Sequence, residues 1–295
     1  MSKQTIFTGS GVAIITPMNA DGSVNYDKYR ELVEWQIENG TDAIIACGTT
    51  GESSTLTDEE HIGVIRAAIE QTAGRVPVIS GTGSNDTAYC IELSKEAEKL
   101  GADALLLVTP YYNKTSQRGL VAHYTAVADA VNLPILLYNV PSRTGVDIKP
   151  ETVAVLAKHP NIVAVKEANG NISSAAQVAA LCDIDIYSGN DDQIVPLLSL
   201  GGKGVISVMA NIEPRRTHDI VAKWFAGDVE GSRSLQLELL ELANAMFMDV
   251  NPIPVKEAMN LMGMNVGECR LPLCGMDDAA KAKLAAVLRK YQLMK

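Results

Sequence analysis

The residue with the most recognisable chemistry is Lys166, which stands in an apolar run over residues 162–168. The length of this run and its valine and isoleucine content are typical of a buried β-strand. Burial disfavours the charged form of a lysine, and the free amine that results can attack a carbonyl carbon. Lys166 is therefore a candidate nucleophile, although it could instead reach water at the strand end or pair with Glu167.

Further polar groups follow other candidate strands. Residues 48–53 read Gly-Thr-Thr-Gly-Glu-Ser, a turn whose glycines can direct backbone N–H groups at a small anion. Similar polar endings occupy residues 109–113, with two tyrosines, residues 138–145, with Tyr138 and Arg143, and residues 188–191. Each has an ordinary alternative, as turn chemistry, a core-edge tyrosine, a surface arginine or a helix start. Their positions after successive strands favour one shared site.

Strands and helices alternate along the chain. Apolar segments predict eight strands, at residues 12–16, 43–47, 78–81, 104–109, 135–139, 162–167, 186–188 and 204–209. Between them lies helical periodicity, with an N-cap and acidic first turn predicted at residues 57–60, a first helical position at Pro150 and a helix end at Gly101. Strands spaced by roughly 20 to 35 residues match successive βαβ units and indicate parallel pairing. We predict a (β/α)8 TIM barrel, in which the carboxyl ends of the strands meet at the catalytic face.

The pattern changes after the eighth strand. From about residue 213 onward the sequence shows helical periodicity and no convincing strand, and residues 280–291 carry an apolar stripe. We predict a barrel over residues 1–230 and a C-terminal helical extension over residues 231–295 that belongs to the same folding unit. An open doubly wound sheet is the alternative architecture, but residues 81–86 hold only the first two glycines of a dinucleotide-binding loop.

Composition limits the partners and ligands. The 295 residues carry a formal net charge of −10, which disfavours nucleic acid and anionic membranes because both attract basic surfaces. Apolar runs near the N-terminus are far shorter than the roughly 20 residues that span a bilayer, so we expect a cytoplasmic protein. The four histidines show no metal-ligand spacing and the five cysteines form no Cys-x-x-Cys pair. We therefore expect no metal site and no disulfide framework.

These residues resemble the dihydrodipicolinate synthase family, within the N-acetylneuraminate lyase superfamily of Schiff-base aldolases. The resemblance covers essentially the whole chain, from Gly-Val-Ala at residues 11–13 through Asn-Pro-Ile-Pro-Val-Lys at residues 251–256 to Leu-Pro at residues 271–272. Its most specific motifs are the turn at residues 48–52, the loop at residues 138–145 and Val-Lys-Glu-Ala around Lys166.

The resemblance implies a reaction and its catalytic residues. Lys166 would form an imine with pyruvate, without any other cofactor, and the derived enamine would add to aspartate semialdehyde. Tyr138 would donate and accept protons, linked through Thr49 to Tyr112. The hydroxyl and backbone of Thr50 would bind the pyruvate carboxylate. Hydroxyls suit these roles because they both donate and accept hydrogen bonds.

The resemblance also implies how the substrates and subunits fit together. Arg143 would clamp the carboxylate of the aldehyde substrate, because a guanidinium fork matches a carboxylate. Gly189 and Ile206 would line the pyruvate pocket, Ile206 through its backbone carbonyl. Family members contribute the tyrosine equivalent to Tyr112 to a neighbouring subunit, so we expect a homotetramer built from dimers that share this residue.

Two other functions remain open from the sequence. N-acetylneuraminate lyases and keto-sugar-acid aldolases share the lysine and the tyrosine, so only Arg143 in its Pro-Ser-Arg-Thr-Gly setting favours aspartate semialdehyde. A barrel that binds a keto acid without catalysis is an alternative of another class.

One departure from the family pattern concerns regulation. The effector site of lysine-inhibited members includes a histidine and a glutamate where this chain has Asp58 and Tyr89, whereas His61, Asn85 and Tyr111 match. We expect inhibition by lysine to be weak or absent.

Overall fold

The computed structural model describes residues 3–294 and contains a closed barrel of eight parallel strands. In chain order these are β1 Gly9–Ala13, β2 Ala43–Ala46, β3 Val78–Gly81, β4 Ala104–Val108, β5 Ile135–Asn139, β6 Ile162–Glu167, β7 Asp185–Ser188 and β8 Gly204–Ser207. Each strand pairs with the next, and β1 pairs with β8 to close the ring. The predicted fold class is confirmed.

Helices surround the barrel and continue after it. They are α1 Tyr26–Glu38, α2 Asp58–Thr72, α3 Thr87–Leu100, α4 Gln117–Ala130, α5 Pro141–Thr144, α6 Pro150–Leu156, α7 Ile172–Leu181, α8 Ile194–Leu198, α9 Pro214–Phe225, α10 Val229–Glu238, α11 Leu240–Ala245, α12 Ile253–Leu261 and α13 Asp278–Lys290. The predicted helix signals are confirmed: Thr57 and Glu60 form a capping box, Pro150 begins α6, and Gly101 ends α3 in a left-handed conformation.

Strand β1 begins earlier than the sequence pattern predicts, at Gly9 rather than at residue 12. Its first residues are Gly-Ser-Gly, which carry no apolar signal. Glycine is required where the barrel closes, since a Cβ on Gly204 would lie 1.8 Å from the carbonyl oxygen of Gly9. The strand therefore starts with residues chosen for close backbone approach rather than for hydrophobicity.

Two sets of apolar side chains form the core. One fills the barrel lumen and includes Phe7, Ile45, Tyr138 and Ile206. The other lies between the strands and the helices, and the helices that follow β8 contribute to it through residues such as Leu242, Val255 and Leu284. Successive side chains of a strand point to opposite faces, which places Lys166 in the lumen and the neighbouring Glu167 on the outer face of β6.

Among residues 3–294, no strand follows β8, and no helix is long and apolar enough to cross a membrane. The helices after β8 contribute to the core that lies between the strands and the surrounding helices. Their packing there brings side chains of the C-terminal segment close to the strand ends.

Candidate active site

Lys166 and Tyr138 lie side by side near the carboxyl ends of adjacent strands. The parallel pairing of β5 and β6 aligns Tyr138 with Lys166, and Nζ of Lys166 lies 4.2 Å from the centroid of the tyrosine ring. Lys166 is 5% exposed and Tyr138 is 7% exposed. The lumen thus holds an amine and a phenol in contact, shielded from bulk water. The alternative that Lys166 reaches solvent is wrong.

Lys166 also does not pair with Glu167, whose side chain lies on the other face of the strand. Asn139 Nδ2 donates to both carboxylate oxygens of Glu167 at 3.1 Å, and the backbone N–H of Asn169 donates at 2.9 Å. Burial raises the pKa of Glu167 to about 7, against the effect of these hydrogen bonds.

Gly189 lies beside Lys166, and Ile206 lies in the barrel lumen. The backbone N–H of Gly189 donates to the carbonyl of Glu167 at 2.7 Å. A Cβ on Gly189 would lie 3.1 Å from Cε of Lys166 and 2.7 Å from Cβ of Ala168, so a side chain would crowd the amine. Ile206 is fully buried in the same lumen cluster as Tyr138.

The turn after β2 presents Thr49 and Thr50. It is closed by two hydrogen bonds, from Gly51 N–H to Gly48 O and from Glu52 N–H to Thr49 O, each 3.1 Å. Thr50 is 3% exposed, and its Oγ1 accepts a hydrogen bond from Nδ2 of Asn251 at 3.0 Å.

Arg143 lies in α5, the short helix directly after β5, and its side chain is exposed. Its Nη2 donates to the backbone carbonyl of Asn251 at 3.0 Å. Asn251 therefore contacts both residues that sequence analysis assigns to substrate carboxylates. Asn251 begins the family motif at residues 251–256, but the sequence indicates no role for it.

Tyr112 does not join this cluster within its own chain. It is 91% exposed and has a left-handed backbone with φ of 65°. The loop is braced at the next residue, because Asn113 Nδ2 donates to the carbonyl of Asn85 at 2.9 Å. In the described part of the chain, no hydrogen bond connects the hydroxyls of Thr49, Tyr138 and Tyr112.

The sequence does not predict a buried ion pair that lies next to the turn at residues 48–52, the threonine turn. Lys256 Nζ lies 2.7 Å from Oε1 of Glu52, and both side chains are at most 2% exposed. The same amine donates to the carbonyls of Thr16 at 3.1 Å and Glu268 at 2.8 Å, which satisfies its three protons. Charged residues are usually solvated, so the pattern gives little reason to expect this pair. The one available signal is the position of Glu52 at the end of the threonine turn.

Asp191, whose simplest sequence interpretation is a helix start, is buried. Its Oδ2 accepts hydrogen bonds from the backbone N–H groups of Val208 at 3.1 Å and Met209 at 2.9 Å. Burial raises the pKa of this carboxyl, against the effect of the hydrogen bonds that it accepts. Asp191 thus fixes the backbone that follows β8.

Residues 3–294 contain no cluster of three or more histidine, cysteine, aspartate or glutamate side chains arranged to hold a metal ion.

The closed barrel and the lysine–tyrosine pair at its strand ends define the class, a (β/α)8-barrel enzyme with an amine in its lumen. Residues 6–291 match the Dihydrodipicolinate synthetase family. The chain belongs to that family.

Similar proteins span the same length. The 4-hydroxy-tetrahydrodipicolinate synthase of Lachnoclostridium phytofermentans is 60% identical over 292 residues, covering 98% of this chain and 99% of the relative. The synthase of Acetivibrio thermocellus is 57% identical, covering 99% and 100%. A crystal structure of the chloride-inhibited dihydrodipicolinate synthase from Acinetobacter baumannii, complexed with pyruvate, superposes with a TM-score of 0.96 at 46% identity, covering 98% and 100%.

Proposed function

We propose that this chain condenses pyruvate with L-aspartate 4-semialdehyde to give 4-hydroxy-tetrahydrodipicolinate, the committed step of the diaminopimelate and lysine pathway. The observation that carries the proposal is the buried amine of Lys166 in contact with Tyr138. Full-length similarity to synthases of this name supports the choice of substrates. The reaction needs no cofactor other than the lysine imine.

Lys166 performs the covalent steps. Its free amine attacks the ketone carbon of pyruvate, and loss of water gives an imine. Loss of a proton from the methyl group gives an enamine, whose terminal carbon forms a new carbon–carbon bond with the aldehyde. The amine of the second substrate then attacks the imine carbon and displaces Lys166 as the ring closes. The lysine is regenerated, so the cycle balances without a redox partner.

Each of these steps moves a proton. Tyr138 donates and accepts it, and the 4.2 Å between its ring centroid and the imine-forming nitrogen supports this role. Thr49 links Tyr138 to Tyr112 of a neighbouring subunit. The 91% exposure of Tyr112 supports this arrangement, since its ring makes little contact with its own chain.

Two separate groups bind the two carboxylates. Thr50 holds the pyruvate carboxylate with its hydroxyl and backbone, and Gly189 and the backbone carbonyl of Ile206 line the same pocket. Arg143 binds the carboxylate of aspartate semialdehyde. Its position on α5, directly after the strand that carries Tyr138, supports this role.

The subunits assemble in the cytoplasm as a homotetramer built from two dimers. The smallest complete catalytic unit is a dimer, because Tyr112 acts in the partner's site. The exposed ring of Tyr111 beside it, 38% accessible, supports an interface at this loop.

Borohydride reduction in the presence of pyruvate tests the imine. The expected product is a carboxyethyl group on Lys166, identified by peptide mass analysis. A panel of aldehydes then tests the second substrate: aspartate semialdehyde should be consumed, and N-acetylmannosamine should not. Turnover of the sugar alone would identify a sugar-acid lyase, and a pyruvate adduct without any aldehyde turnover would identify a non-catalytic keto-acid-binding barrel.

Arg143→Ala should separate the two substrates. We expect kcat/KM for aspartate semialdehyde to fall by about 100-fold, because a charge-assisted hydrogen-bonding pair is lost. The rate of borohydride trapping with pyruvate should change by less than about threefold, well below the effect of one lost hydrogen bond to a charged group. Equal losses in the two assays would contradict the assignment of Arg143 to the second substrate.

Free lysine should inhibit weakly. The hydroxyl of Tyr89 donates to Oδ1 of Asp58 at 2.6 Å, so the two residues that depart from lysine-inhibited members are paired with each other. Burial and Asp58 raise the pKa of Tyr89 to about 12, so this hydroxyl stays protonated. We expect an inhibition constant weaker than about 1 mM in a lysine titration. The double variant Asp58→His/Tyr89→Glu should become more sensitive, and strong inhibition of the unmodified protein would refute the expectation.

A further inference from the structure

Asn251 connects the two carboxylate-binding groups of the site. Its backbone carbonyl accepts a hydrogen bond from Arg143 Nη2 at 3.0 Å, and its side-chain Nδ2 donates to Thr50 Oγ1 at 3.0 Å. It is 6% exposed and lies just before α12, far in sequence from both partners. The side chain and the backbone of this residue thus serve different neighbours.

The direction of the hydrogen bond to Thr50 determines what the hydroxyl can do. An amide NH₂ group only donates, whereas a hydroxyl has one proton and two acceptor positions. Because Thr50 Oγ1 accepts from Asn251, its own proton remains for another acceptor. Within residues 3–294 that proton has no acceptor. A carboxylate, which only accepts when ionised, is the ligand that such a hydroxyl suits.

The other polar atom of the Asn251 amide is its oxygen, Oδ1. This atom is buried and has no hydrogen-bond partner in the described residues. A buried acceptor without a partner is unfavourable and therefore calls for an explanation, such as a functional role. The contact that Nδ2 of the same amide makes with Thr50 points to such a role.

The segment that carries Asn251 is fastened to the threonine turn a second time. Lys256, one turn into α12, forms the buried ion pair with Glu52, two residues after Thr50. Thr16 Oγ1 also donates to the carbonyl of Gly51 at 2.7 Å, which ties the turn to the segment that follows β1. Asn251 and Thr50 are therefore held at a fixed separation by contacts on both sides.

We propose that Asn251 is a positioning residue for pyruvate: its amide turns the Thr50 hydroxyl so that its proton is available to the pyruvate carboxylate. This inference rests on the proposed function, which assigns that carboxylate to Thr50. The backbone carbonyl that contacts Arg143 survives any side-chain substitution. Side-chain variants of Asn251 should therefore affect pyruvate and leave the aldehyde substrate nearly unaffected.

The first test compares Asn251→Ala and Asn251→Asp. We expect the pyruvate concentration that half-saturates borohydride trapping to rise about 10-fold in Asn251→Ala, the effect of one lost hydrogen bond. Asn251→Asp should raise it further, to about 100-fold, because an aspartate accepts the hydroxyl proton and repels the substrate carboxylate. KM for aspartate semialdehyde should change by less than about twofold, because the backbone contact to Arg143 is unaltered.

A double-mutant cycle separates positioning from general destabilisation. In a Thr50→Val background, Asn251→Ala should raise the half-saturating pyruvate concentration by less than about twofold, because the hydroxyl that Asn251 positions is gone. In a Thr50→Ser background, which keeps the hydroxyl, the full effect should return. Asn161→Ala is the matched control, since the side chain of Asn161 donates only to the backbone carbonyls of Ala128 and Val131, and Asn161 precedes β6 at the end opposite Lys166. It should lower thermal stability without changing the response to pyruvate.

The outcomes distinguish this inference from the proposed function. If the unmodified protein is not trapped by pyruvate, the proposed function fails. If it is trapped and the Asn251 effect is the same in Thr50→Val and Thr50→Ser, or falls equally on both substrates, only the role of Asn251 is overturned. Should Asn251→Ala not fold, Asn251→Asp, which keeps the size of the side chain, replaces it in the same cycle.

Discussion

Lys166→Arg should abolish the pyruvate adduct and lower kcat for condensation by at least about 1,000-fold. A guanidinium stays protonated under all physiological conditions and so offers no free amine to a ketone. The buried position beside Tyr138 shields the amine from bulk water. Borohydride trapping measures the covalent step, and a coupled assay of aspartate semialdehyde consumption measures turnover.

Two controls make this result specific. Lys158→Arg changes an exposed lysine that precedes β6, and it should retain both the adduct on Lys166 and full turnover. Tyr138→Phe keeps the ring against the amine but removes the proton donor, so it should reduce turnover by about 100- to 10,000-fold. Turnover by Lys166→Arg at the level of the unmodified protein, or a pyruvate adduct on another lysine, would remove Lys166 from the mechanism.

The strand positions were largely predictable because the physical signal for buried parallel strands is strong. Strands β3, β5 and β6 have the predicted bounds, since each is a short apolar run between turn residues. The start of β1 was missed because close backbone approach selects glycine there, and glycine carries no periodicity. The register between β5 and β6 shifts by one residue between Ile135 and Leu136, and this irregularity, which the sequence pattern does not indicate, brings Tyr138 level with Lys166.

The predictable part of the site consists of residues that follow strands. A parallel barrel gathers the carboxyl ends of its strands, so the sequence alone groups Thr50, Tyr138 and Lys166. No comparable rule says where helices after the last strand will dock. Asn251 and Lys256 reach the threonine turn across about 200 residues of chain, 201 and 204 positions from Thr50 and Glu52.

Tyr112 shows a different limit. Its exposed ring and left-handed backbone are properties of a single chain, whereas its proposed partner is a residue of another subunit. Sequence periodicity reflects contacts within one chain and contains no information on how two subunits pack against each other. The family resemblance supplied the role of this tyrosine, and the exposed loop is compatible with it.

Lys256→Met is expected to destabilise the protein by about 3–5 kcal/mol and to reduce turnover as well. The substitution leaves the carboxylate of Glu52 buried without its cation, which is a large electrostatic cost. Glu52 also has a left-handed backbone with φ of 55°, a conformation that costs of order 1 kcal/mol and needs support from its surroundings. Because Glu52 ends the threonine turn, its displacement should raise the half-saturating pyruvate concentration. Urea unfolding and borohydride trapping measure the two effects.

The ion pair and the loss of packing can be separated by removing both charges. Lys256→Met/Glu52→Gln should be more stable than Lys256→Met alone, because no unpaired charge remains in the interior. Lys281→Met is the matched surface control: Lys281 pairs with Glu257 at 3.2 Å but is 38% exposed, so its loss should cost at most about 1 kcal/mol. If Lys256→Met destabilised the protein no more than Lys281→Met, the buried pair would not be what fixes the turn. The pyruvate response of the double variant then decides whether the turn needs the charge or only the volume that the two side chains fill.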